Sequence, residues 1–181
     1  MKNLNPLSIL YPYQRDAVNT TFYNKKGIVC LPTGTGKTFI QAAIVANDIM
    51  LNPNQFRVYV VNAPRILLSF QLLKEVFGFM TGSGIESRYM FVHSGGSTDE
   101  KELEEIRIRA NSEDVQIPFS EIASSTRTGE IKIMMRKSRE LNLPLILFST
   151  YNSASQIEIA RKELAIELNA PVPISIVLND E

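Results

Sequence analysis

Apolar residues fall along this chain in short dense runs, separated by longer segments in which they recur every three or four positions. That alternation predicts an α/β fold: a mainly parallel sheet covered by helices. Tyr13 to Tyr23, just after Pro12, reads as a first helix. Gly27 to Leu31 (Gly-Ile-Val-Cys-Leu) reads as a short buried strand, with Cys30 as a core thiol. Lys37 to Leu51 reads as a helix with a nearly continuous apolar surface, including Ile40, Ala43, Ile44 and Met50, and Asn52-Pro53-Asn54 stops it. Arg57 to Asn62 is a second strand. Arg65 to Met80 is a helix in which Leu68, Leu72 and Val76 repeat at four. A turn at Thr81-Gly82-Ser83-Gly84 leads to a third strand near Arg88 to His93.

The pattern then changes. Ser94 to about Asp114 is polar and acidic, and its Thr98 to Ala110 part predicts a solvated helix with Leu103, Ile106 and Ala110 on one face. The charges from Glu100 to Glu105 read as a solvated surface, and Pro118 to Thr126 as extended. The whole segment from about 95 to 128 is longer than a plain connection needs, so it is expected to be an elaboration between the third and fourth strands. Glu130 to Leu141 is helical again and Leu143 to Ser149 is a buried strand. Ser153 to Asn169 is a helix with Ile157, Ala160, Leu164 and Leu168 in register. Pro173 to Leu178 is a last strand, which delivers Asp180 and Glu181 to its end. The expectation is one domain over residues 1–181, with a helical lead-in over 1–26.

Composition narrows the function classes. An apolar share of 44% suits a globular chain. Lys plus Arg equals Asp plus Glu at 19 each, which argues against a protein that coats polyanions. It leaves room for a motor that grips phosphates at a few points with backbone amides and hydroxyls. No apolar run approaches the ~18 residues of a membrane span, and no membrane partner is expected. A single cysteine, Cys30, permits no internal disulfide and fits a reducing, cytoplasmic setting. One histidine and one cysteine leave no ordinary zinc set, and His93, at a strand end, reads as structural.

The strongest chemical signal is Leu31-Pro32-Thr33-Gly34-Thr35-Gly36-Lys37-Thr38, between a strand-like run and a long helix. Gly34 and Gly36 let the backbone curl so that successive N–H groups, including those of Thr33 and Thr35, point inward as an anion nest at a helix N-terminus. Lys37 is placed to reach the β- and γ-phosphates of a nucleoside triphosphate, and the Thr38 hydroxyl to ligate Mg²⁺. Leu31 stands where the general G-x-x-x-x-G-K-[ST] pattern has its first glycine. Such a loop needs a carboxylate at another strand tip to hold the metal's hydration shell. Asp180 is the candidate for that role, and Glu181 for orienting and deprotonating the attacking water.

These motifs together resemble the first RecA-like domain of a superfamily-two helicase or translocase of the DEAD/DEAH type, most like the motor subunits of restriction and phage-defence enzymes. Leu10-Tyr11-Pro12-Tyr13-Gln14-Arg15-Asp16-Ala17-Val18 is similar to the Q motif, in which the glutamine reads the adenine edge, so the resemblance assigns that part to Gln14. Tyr11 stands where many relatives have Arg. Leu31 to Thr38 corresponds to motif I. Val61 to Gln71 resembles motif Ia, which implies that Pro64 and Arg65 touch a nucleic-acid backbone. Phe148-Ser149-Thr150-Tyr151-Asn152-Ser153 resembles the family's Thr-Tyr-x-Ser segment and adds Thr150 as a strand contact, although the same residues also suit capping of the next helix. Asp180-Glu181 resembles the first half of motif II, so the sequence is expected to stop inside that motif.

The resemblance implies ATP with Mg²⁺ as cofactors and nucleic acid, DNA by family, as partner. A second RecA-like domain would supply the arginine finger, and a nuclease or specificity subunit would be a further partner. Two other readings remain open on the residues: a small P-loop kinase, and a short non-catalytic nucleotide-binding module.

Overall fold

A computed structural model describes residues 5–24, 26–95, 101–106, 108 and 123–180. The chain divides into two compact units. The first contains residues 1–53 and 74–86, the second 54–73 and 87–181.

In the first unit, a 3-10 turn at Pro6–Ile9 precedes α1 (Pro12–Tyr23). Pro12 occupies the first turn of α1, where a missing N–H costs nothing. Gln14 reaches back to accept the Tyr11 N–H at 3.0 Å, satisfying a donor that the helix leaves over. Helix α2 (Lys37–Leu51) starts from Gly36, and its Ile40, Ala42, Ala43, Ile44, Val45 and Ala46 are buried. Asn52 ends it, its side-chain amide bonding the Asp48 carbonyl at 2.8 Å. Met50, expected on the apolar surface, is exposed.

The second unit is built on a five-stranded parallel sheet: β1 (Val58–Ala63), β2 (Arg88–Val92), β3 (Ala123–Ser125), β4 (Leu145–Thr150) and β5 (Ile174–Asn179). Their spatial order is β3-β2-β4-β1-β5. Every residue of β1 and β4 is buried, which is why both read as continuous apolar runs rather than alternating ones. Val58, Val60, Met90, Val92, Leu145 and Leu147 form one face. They pack with Ile131 and Met135 of α4 (Thr128–Glu140) and Ile157, Ala160 and Leu164 of α5 (Ala154–Leu168). The alternate positions carry the aromatic side, where Phe91 lies 6.0 Å from Phe148 and 6.4 Å from Phe70, ring centre to ring centre. Phe70 belongs to α3 (Ile66–Gly82), whose residues are shared between the two units. Leu72 and Val76 of α3 are buried as their spacing predicts, but Leu68 is exposed and Ile66, Phe70 and Leu73 take the inward positions. Helices α4 and α5 are further clasped by Lys132 to Glu163 (3.3 Å) and Glu167 (2.5 Å), and by Arg136 to Glu167.

The expected α/β class and parallel sheet are therefore present. The strand expected at Gly27 to Leu31 is not. Residues 27–31 have no regular structure and are absent from the sheet. Ile28 is 91% exposed, Val29 is also exposed, and Cys30 is an exposed free thiol rather than a core one. An apolar run becomes a strand only when its backbone finds a ladder partner, and no described strand pairs with this one.

The segment after β2 also departs from expectation. Residues 101–106 are helical, with Leu103 and Ile106 buried as the spacing predicts, but Glu102 is buried beside them rather than solvated. Ala110 and most of the Pro118–Thr126 stretch lie outside the described residues.

Candidate functional site

The candidate phosphate loop lies wholly in the first unit. Its backbone turns left-handed at two points, Gly34 (φ +83°) and Gly36 (φ +80°), where a side chain would be strained. Between them the Thr35 hydroxyl donates to the Pro32 carbonyl at 2.7 Å, which closes the turn. The Thr35 carbonyl receives two side-chain donors from α1, the Tyr13 hydroxyl and the Gln14 amide, both at 2.9 Å. Helix α1 thus straps the loop from behind. The fit is close: a Cβ on Gly36 would come within 2.5 Å of Gln14 Nε2. Lys37 and Thr38 are the first two residues of α2 and are half-buried, while Thr33 and Gly34 are exposed at the turn.

Gln14 is buried, so it is no ordinary helix-surface glutamine. Its carbonyl oxygen holds the Tyr11 N–H and its nitrogen holds Thr35, leaving one N–H and one lone pair of the amide for anything else. Tyr13 is a site residue that sequence reasoning misses. Its one signal is adjacency to Gln14.

The remaining candidates lie in the second unit, at the carboxyl ends of β1, β4 and β5. The apolar stripe of Val58 and Val60 ends at Asn62, and that of Leu145 and Leu147 ends at Ser149. Asn62 pairs in register with Ser149 on one side and Asn179 on the other. The Ser149 hydroxyl donates to Asn62 Oδ1, and Asn62 Nδ2 donates to Asn179 Oδ1 at 2.9 Å. This polar ladder crosses adjacent strands just before each candidate residue. Pro64 and Arg65 follow β1 and are both exposed. Thr150 ends β4, is buried, and shares a 2.6 Å hydrogen bond with Ser153, so its hydroxyl serves the turn into α5. Asp180 follows β5: its N–H donates to the Asn62 carbonyl at 2.9 Å and its carbonyl accepts the Tyr151 hydroxyl at 2.7 Å. Both backbone polar groups of Asp180 are thus held while its side chain stays half-exposed. Glu181 lies outside the described residues.

Arg65 is engaged by a residue expected in solvent. Its Nε donates to Glu102 Oε1 at 2.8 Å and its Nη2 to the same oxygen. Glu102 Oε2 accepts the Leu67 N–H at 3.1 Å, at the start of α3.

The DEAD/DEAH box helicase family matches residues 11–157, a span that includes Gln14, the glycine loop, Pro64, Arg65 and Thr150. The chain belongs to the DEAD/DEAH box helicase family. As a helicase-type motor domain it also has a solved structural relative. That relative is a nuclease-deletion mutant of the Type ISP restriction-modification enzyme LlaGI, in complex with a DNA substrate mimic. The TM-score is 0.59 at 21% identity, which shows a shared fold. The likeness covers 94% of this helicase domain and 17% of the restriction enzyme's chain. No curated protein matches the sequence significantly. Among the described residues, no helix is long and apolar enough to cross a membrane.

Proposed function

We propose that this chain is the ATP-binding first RecA-like domain of a DNA translocase or helicase of the restriction or defence type, coupling ATP hydrolysis to movement along the strand. The observation that carries the reading is the loop around Thr35, curled by Gly34 and Gly36 and held by Tyr13 and Gln14. Backbone N–H groups from Thr33 to Gly36 cradle the triphosphate at the positive end of α2, and Lys37 neutralises its outer phosphates. Gln14, with its remaining amide valences, faces the adenine edge.

Mg²⁺ takes hard oxygen donors and keeps several waters. The Thr38 hydroxyl in the first unit is a donor of that kind, and the Asp180 carboxylate in the second is another. The ion would neutralise charge developing on the transferred phosphoryl group. Tyr151 and Asn62 hold the Asp180 backbone, which keeps that residue at the end of the sheet. Glu181 orients the attacking water and takes its proton.

Pro64 and Arg65, exposed just after β1, form the strand-phosphate contact, while Thr150, buried at the end of neighbouring β4, shapes the turn beside them through Ser153. By family, a second RecA-like domain closes over the nucleotide with an arginine finger, and a nuclease or specificity partner acts on the same DNA. An arginine finger is worth roughly 10³–10⁵ in rate. These 181 residues alone should therefore bind ATP–Mg weakly and hydrolyse it negligibly. The test is strand-stimulated ATPase, on this chain and on a polypeptide that includes the second domain. Only the longer form should be active, and Lys37→Ala should silence it. Brisk, strand-stimulated hydrolysis by the shorter chain alone would defeat this account of catalysis.

A further inference from the structure

We infer that Glu102 is an internal stand-in for a strand phosphate, a carboxylate latch that occupies the Arg65 corner until nucleic acid displaces it. The inference rests on the reading of Pro64 and Arg65 as a strand contact. A phosphate seated at this corner would call on two kinds of donor: the guanidinium edge of Arg65, and a free N–H at the start of α3. Glu102 uses both. Its Oε1 takes Nε and Nη2 of Arg65, the edge that reads oxyanions, and its Oε2 takes the Leu67 N–H at 3.1 Å.

The exposures fit a plug better than a buttress. The Glu102 side chain is 7% exposed, whereas that of Arg65 is 63% exposed and open to an incoming strand. Burying a carboxylate is costly unless charge and hydrogen bonds compensate it, and here the compensation comes from the Arg65 corner itself. Leu103 and Ile106, buried on the same helical segment, anchor the backbone that carries Glu102. Release therefore requires only that one side chain swing out. The acidic elaboration after β2 thereby keeps a cationic strand-end corner neutral when no nucleic acid is present.

The experiment measures binding of a fluorescent single-stranded oligonucleotide to the 181-residue chain by anisotropy, across a salt series. Wild type, Glu102→Gln, Glu102→Ala, Arg65→Ala and the double variant Glu102→Gln/Arg65→Ala are compared. Glu102→Gln is nearly isosteric and keeps an acceptor for Leu67. Glu102→Ala removes the group altogether, and thermal melting confirms that each variant is folded. The latch predicts binding about tenfold tighter in both Glu102 variants, the scale of one charge-assisted contact. It also predicts a plot of log K against log salt steeper by about 0.7, the value of one more neutralised phosphate on a single strand. Arg65→Ala should matter little in wild type and remove the whole gain in the Glu102→Gln background. Unchanged or weaker binding in the Glu102 variants overturns the latch. If Arg65→Ala alone then weakens wild-type binding, the strand-contact reading survives without the latch. If Arg65→Ala is silent in both backgrounds, the corner is no strand contact and both ideas fall.

Discussion

The proposed phosphate loop and the strand ends hold their candidate residues by opposite means. The loop is a backbone device. Its shape comes from two left-handed glycines and one carbonyl, Thr35, gripped by two side chains of α1. The strand ends are a side-chain device. Asn62 ties Ser149 and Asn179 across the sheet, so the residues that follow leave β1, β4 and β5 from a common, fixed level. A loop that wraps a ligand needs conformations that only glycine adopts cheaply. A row of contacts along an extended strand needs registration between separate segments, which the sheet supplies. The first should fail through backbone changes, the second through loss of a buried polar partner.

The largest effect expected is chemical rather than structural. Lys37→Ala should weaken Mg-ATP binding about 100-fold, the upper range for a charged hydrogen-bonding group, with no change in thermal midpoint. Calorimetric titration with a non-hydrolysable ATP analogue measures it. Next comes the ladder. Asn62→Ala leaves the buried Ser149 hydroxyl without its acceptor, also removes the bond to the more exposed Asn179, and should cost about 2 kcal/mol. Urea unfolding followed by circular dichroism reads that loss, and ATP affinity changes less than in Lys37→Ala. An unshifted urea midpoint would remove the ladder from the comparison.

Gly36→Ala tests the loop from the other side. A left-handed φ and a Cβ aimed at Gln14 Nε2 should cost about 1–2 kcal/mol. Nucleotide affinity should fall along with stability, because the strain sits in the cradle. If the variant binds as wild type, Gln14 does not brace the loop.

The smallest effect belongs to the surface clasp between α4 and α5, away from both devices. The Lys132 hydrogen bond holds Glu167 below its usual carboxylate range, and Arg136 adds to it. Stability from this pair is present above pH 4.5 and fades as pH falls through the lowered value. Lys132 is raised above 10.5 by its bond to Glu167, so its share is present below that value and fades as pH rises through the higher one. Glu167 is exposed and Lys132 half-buried at the surface, and high salt should erase most of the effect. Comparing Glu167→Gln with wild type in acid and at neutral pH, at low and high salt, isolates it.

The division of labour also explains what the sequence makes legible. The glycine loop is a contiguous pattern with its geometry written into residue types, so Gly34, Gly36, Lys37 and Thr38 stand out on spacing alone. Strands β1 and β4 are equally plain because burial on both faces leaves little but apolar residues along them. Gly27 to Leu31 has the same composition and forms no strand: hydrophobicity says that a segment prefers burial, and only a partner makes it a strand. Asn62 and Glu102 are illegible for a related reason. Asn62 means nothing until β4 and β5 bring Ser149 and Asn179 beside it, and the link to Asn179 spans 117 residues, far beyond any local pattern. Glu102 sits among other acids, and only its pairing with distant Arg65 sets it apart.

The exposed thiol of Cys30 has a practical side. It is the only cysteine in the sequence, and it stands shortly before the glycine turn, in the same compact unit. A maleimide dye would attach at one place, with no competing thiol to blur the signal. Its emission would follow the environment of the segment leading into the cradle, giving an optical readout of nucleotide arrival that does not wait for turnover.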